Sequence, residues 1–170
     1  PMGLVASLAD PNFLTRQHAQ RLLVERGELD VVPALLAHLI EPRVDGIQSD
    51  PAALHSLWTL DGLDVFGDGA REIVEDDEVA AIDDAIAGAL RHPAWSVRRA
   101  AVERLPRGAW GRDLLLSSGI LGDSQPKVRL AALVALAEMP PSDEAGSAAF
   151  DALLAADVSV DRWLADAATI

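Results

Sequence analysis

The chain has 170 residues and a formal charge of −13, from 27 acidic and 14 basic side chains. A surface of that sign repels phosphate backbones and excludes general nucleic-acid binding. The absence of cysteine excludes a disulfide, a thiolate metal site or a CxxCH haem attachment in this stretch. Apolar residues make up 50% but aromatics only 4%, with no tyrosine, and Ala and Leu dominate, a composition suited to close helix packing rather than to pleated sheets. No run approaches the roughly 20 apolar residues needed to cross a bilayer, and no basic start leads into an apolar stretch as in a signal peptide. Pro1-Met2-Gly3 runs directly into a repeat, as in a piece of a longer protein.

In chain order, Asp10-Pro11 is predicted to open a helix with Asp10 as its N-cap and the proline at the first helical position. Phe13, Ala19, Leu22, Leu23 and the stem of Arg26 supply its apolar face, and Gly27 ends it. Val31-Val32-Pro33 opens a partner helix with Leu35, Leu36, Leu39 and Ile40 at helical spacing, stopped by Pro42. Asp50-Pro51 leads into Leu54, Leu57, Trp58 and Leu60, and a further helix is expected over 79–90. Between them, residues 62–78 combine three glycines with dense acids and few apolar anchors, which predicts an irregular acidic inter-helix loop. A third pair is expected from His92-Pro93 to Leu105 and from Gly111 to Ser117. A fourth is expected from Pro126 to Met139 and from Ser142 to Ala156, and 160–170 reads as the first helix of a fifth. Strand alternation is missing throughout, so the expected fold is all-α: a single domain over 1–170 of four to five helix pairs.

Three of these segments are copies of one another. Counting from Leu8, Leu90 and Leu121, an Arg falls at +8 (Arg16, Arg98, Arg129), an Ala at +11 (Ala19, Ala101, Ala132) and a Leu at +15 (Leu23, Leu105, Leu136). A weaker fourth copy starts at Leu154, with Arg162 and Ala165. A repeat of this length cannot close its own core and is expected to stack as a solenoid, whose usual product is a surface.

The pattern Asp/Pro-x-x-Val-Arg-x-x-Ala-x-x-x-Leu, carried by Asp123, Val128, Arg129, Ala132 and Leu136 and by His92, Val97, Arg98, Ala101 and Leu105, resembles the HEAT-repeat family, and within it the bilin-lyase HEAT-like form. The resemblance implies an α–α superhelix, in which the small Ala lets paired helices approach and the Arg bonds an acidic side chain or carbonyl in the inter-repeat turn. It covers roughly residues 4–40 and 88–170. Arg21-Leu-Leu-Val-Glu-Arg-Gly27 and Leu54-His-Ser-Leu-Trp-Thr-Leu-Asp-Gly-Leu63 also resemble the HEAT segment of large planctomycete-type haem-binding proteins. In those proteins the segment lies between a propeller similar to sugar dehydrogenases and a c-type cytochrome module. The implied role is a non-catalytic scaffold that holds neighbouring domains of a secreted redox protein, or binds another protein, without a cofactor of its own. A bilin-lyase-like HEAT protein assisting chromophore attachment is the alternative. The narrower likeness implies a periplasmic location; without it the chain is expected in the cytoplasm.

Candidate chemistry is sparse. Arg16, Arg98 and Arg129 are expected to brace inter-repeat turns, with Asp10 and Asp123 as acceptors. Asp64, Asp68, Gly69 and Glu75 match four positions of a calcium loop, but Phe66 and Arg71 stand where a ligand and an apolar residue belong, so a solvated acidic loop is expected. His18, His38, His55 and His92 show no metal-ligand spacing, and no nucleophile elbow or phosphate loop is present. Trp95 shares a repeat slot with Phe13 and Pro126, which points to packing, whereas Trp110 and Trp163 are the candidates for partner contacts.

Overall fold

The computed structural model describes residues 1–67, 76–155 and 162–167. Every regular element among them is a helix. They are α1 Met2–Ser7, α2 Phe13–Arg26, α3 Val32–Ile40, α4 Pro51–Gly62, α5 Asp76–Ala89, α6 Trp95–Arg104, α7 Ala109–Ser118, α8 Pro126–Ala137, α9 Asp143–Ala155 and α10 Arg162–Ala167. Single 3-10 turns lie at Leu29–Val31 and Ile120–Gly122. None of the described helices is long and apolar enough to cross a membrane. The chain divides into two compact units, Pro1–Arg104 and Leu105–Ile170.

In the first unit α4 is central, packing against α2, α3 and α6, while α3 also packs on α5 and α1 on α2. Leu8, Leu23, Leu35, Leu57, Leu60, Ile86 and Leu90 are fully buried there. In the second unit α7, α8 and α9 gather on the turn Ile120–Gly122, and α10 packs on α8. Its core is Leu115, Ile120, Val128, Ala132, Leu133 and Leu136. The helix ends follow local rules. Gly27 (φ 69°) and Gly119 (φ 75°) take the left-handed conformation that closes α2 and α7, and the Asp50 carboxylate accepts from the Ala53 N–H to cap α4.

Several sequence expectations need correction. Asp10 does not cap α2. Its carboxylate accepts from the Asn12 N–H, leaving Pro11 in the turn, and Asn12 caps the helix by accepting from Leu14. On α2 only the Ala19–Leu23 line is buried, and Leu22, one residue off it, is exposed, as is Phe13. The short helix α1, which the sequence did not set apart, packs against α2, as does α4. Residues 62–78 are not irregular at their two ends, since Gly62 closes α4 and 76–78 belong to α5, while the described 63–67 form turns. Nor is the described start of that stretch without anchors, because Val65 and Phe66 are buried at 2% and 3% exposure. Asp68, Gly69, Arg71 and Glu75 of the calcium-loop reading lie outside the described residues. Leu154, the start of the weak fourth copy, is 68% exposed and so does not fill the core position its counterparts hold.

Candidate functional site

The repeat residues build the same local device three times. Arg16 Nη1 donates to the carbonyls of Asp10 (2.7 Å) and Pro11 (3.1 Å). Arg98 does so to His92 (2.8 Å) and Pro93 (3.0 Å), and Arg129 to Asp123 (2.7 Å) and Ser124 (3.4 Å). These carbonyls lie in the turn before the helix and have no helical partner, and one guanidinium can satisfy both. The residue at +2 completes the turn. Asp10, His92 and Asp123 each accept, through the side chain, the N–H two residues on, from Asn12, Ala94 and Gln125. The acceptors that recur in all three copies are thus main-chain carbonyls, one of the two kinds of partner the resemblance implied. Ala19, Ala101 and Ala132 are buried at 2%, 0% and 0%, as close helix approach requires. In all three copies the guanidinium group is folded back on its own turn.

Helix α4, which carries no copy of the motif, is surrounded by a different set. His55 is 3% exposed, bonds Gln20 Oε1 through Nδ1 at 2.7 Å and meets the Trp58 ring edge-on at 5.0 Å. Burial, with a smaller push from the Arg16 charge, lowers its pKa to about 4. His38 Nδ1 lies 2.8 Å from Ser56 Oγ, and burial lowers that ring's pKa too. Asp50 is fully buried and accepts from the amides of Arg43 (2.5 Å) and Ala53 (3.1 Å). His92 Nδ1 accepts from the Ala94 N–H, so Nε2 carries the ring proton, 3.5 Å from Asp50 Oδ2. That separation is electrostatic contact more than a formed hydrogen bond. Burial alone would raise the Asp50 carboxyl, but His92 and the two amides outweigh it and hold it below the usual carboxylate range. Sequence reasoning missed this pair. The signal was His92 standing at +2, where the other copies have Asp.

An apolar opening that a partner could enter lies between α3 and α5. Leu29, Val32, Leu36, Ile40, Val65 and Ile82 line an apolar groove of about 460 Å³. Ala37 and Ala81 leave it wide, and the acids Glu78 and Asp84 stand on its rim. A second hollow of about 450 Å³ shares Ile40 and Asp84 with the first and runs past Gly88 to Arg91 and His92. Ile40 is 63% exposed, although the sequence placed it on the core face of α3. Of the two tryptophans named as contacts, Trp163 is 69% exposed on α10, while Trp110 is half-buried on α7. Among the described residues there is no group of three His, Asp or Glu side chains able to hold a metal. Comparison with protein-family models, curated proteins and solved structures finds no match.

Proposed function

We propose that this chain is a non-catalytic, HEAT-like repeat scaffold whose job is to bind a protein or a neighbouring domain of the same polypeptide. The arginine clamp, built identically in α2, α6 and α8, supports a stack of equivalent units. The observation that carries the functional part is the apolar groove between α3 and α5, since a helical scaffold acts through the surface its helices leave open. Among the described residues no polar groups converge on its floor as they do in small-molecule sites, which favours a macromolecular occupant.

Two experiments test this reading. Small-angle scattering should give a radius of gyration clearly above the roughly 15 Å of a compact chain of this length, and a compact value would remove the solenoid. Reading the parent gene outward and expressing its flanking domains should yield one that binds this chain and is released by Ile40→Asp. A flanking CxxCH domain would support the haem-protein setting, and neighbouring phycobiliprotein genes would replace it with the bilin-lyase-like alternative. Flanking domains that all ignore this chain would sink the neighbouring-domain role and leave only a separate protein as the partner.

A further inference from the structure

We infer that the α3–α5 groove takes an amphipathic helix with an apolar ridge and Lys/Arg flanks, a partner chemistry that rests on the scaffold reading above. The shape of the occupant follows from the backbone. The lining is helical on both sides, with α3 and α5 satisfying their own amides, so an extended peptide would find no free edge and would desolvate its own N–H and C=O groups on an apolar floor. A helix brings its backbone already bonded and presents side chains at i, i+4 and i+7. Val32, Leu36 and Ile40 on α3 stand at i, i+4 and i+8, one stripe of that helix, and the small Ala81 and Gly88 on α5 leave room for a ridge to seat.

Charge selects among helices. Glu78 and Asp84 are exposed on the rim, Asp77 is exposed beside them, and α5 contains no Lys or Arg. Arg91 stands at the far end of the second hollow. The ridge must therefore be flanked by cations over most of its length. The same field argues against other occupants. A second copy of this chain carries −13 as well, and its exposed apolar helix α9, with Phe150 and Leu154, starts with Asp143 and Glu144. A fatty-acid carboxylate or an anionic membrane would meet Glu78 and Asp84 in turn.

The test uses two synthetic helices of about 16 residues with the same Leu ridge, one flanked by Lys and one by Glu, titrated by fluorescence anisotropy against the full chain. The Lys-flanked helix should bind at least about tenfold more tightly and weaken with salt. Ile40→Asp, at an exposed position, should abolish that binding with the helical spectrum unchanged. Glu78→Lys with Asp84→Lys should reverse the preference, whereas Asp143→Lys with Glu144→Lys, the same charge change away from the groove, should not. Binding of the Lys-flanked helix that survives Ile40→Asp, or that responds equally to both charge reversals, overturns the proposal. So does concentration-dependent self-association abolished by Ile40→Asp, which would give the groove to a second copy. A flanking domain that uses the groove while neither synthetic helix binds would retire this partner chemistry and leave the scaffold standing.

Discussion

The buried polar side chains of the described residues, Asp50, His55, Ser56, Thr59 and His92, all lie in Pro1–Arg104. The described core of Leu105–Ile170 is built from Ala, Leu, Val, Ile and Met instead. All four histidines also fall in the first unit. The difference traces to α4. It packs against three helices and has only its last two residues and a few edges in contact with water, so polar groups on it must find protein partners. In the second unit α8 combines its own clamp with an apolar face, and Arg107 pairs with Glu138 just past its end. Two ways of holding a helix are therefore present in one chain: by its own preceding turn, or by side chains from elsewhere in the sequence.

The comparison is broken most severely at Asp50. Asp50→Ala strands the Arg43 and Ala53 amides and the His92 Nε2, and should cost about 3–5 kcal/mol, read as a lowered urea midpoint. The matched change in the second unit, Asp123→Ala, removes the half-exposed turn bond from the Gln125 N–H and should cost less, on the order of 1 kcal/mol. Equal losses would mean the two units are held in the same way.

Acid should separate the units next. His55 in the folded chain has a pKa near 4, against about 6.5 unfolded, so its stabilising contribution is complete above pH 6.5 and is lost as pH falls towards 4. The loss amounts to at most about 3 kcal/mol. His38, also lowered, acts in the same direction. Asp50, with a depressed carboxyl, contributes above its unfolded pKa and loses that contribution as pH falls through its folded value, so acid weakens α4 through both kinds of group. Hydrogen exchange at pH 7 and pH 5, corrected for intrinsic rates, should show lost protection in residues 51–62 and little change in 126–137. His55→Leu should flatten the difference.

The clamps sharpen the comparison by being common to both units. Arg98→Ala and Arg129→Ala should each cost about 1–3 kcal/mol, and a Lys at either place should restore less than half, since it lacks the forked donors. A clear disparity between the two sites in thermal melts would show that the device is not equivalent in its copies. Smallest of all, Gly119→Ala should cost about 1 kcal/mol, because φ 75° strains any side chain there.

What the sequence makes legible is what depends on near neighbours in the chain. The motif offsets mark the helices bearing Arg16, Arg98 and Arg129, and Gly27 marks a helix end, because each acts within a turn or two. Asp10 is misplaced by only two residues, since Asn12 beside it is an equally good cap. Features that need helices distant in sequence to meet are not legible. His55 finds Gln20 35 residues away, and Arg104 finds Asp61 43 residues away. The groove escapes for a related reason. Ile40 repeats at core spacing on α3, yet whether it is covered depends on α5, where Ala81 and Gly88 offer little bulk.

The reach of the clamp has a kinetic meaning. Each arginine returns to a carbonyl six residues back, so closing that ring costs little chain entropy, and the turn and first helical turn can form before any helix meets another. The contacts of α4 close segments tens of residues long and are expected to form after the rate-limiting step. On that account Arg129→Ala slows refolding, whereas His55→Leu and Asp50→Asn chiefly hasten unfolding. The lifetime of the first unit is then governed by α4, and its speed of assembly by the repeats around it.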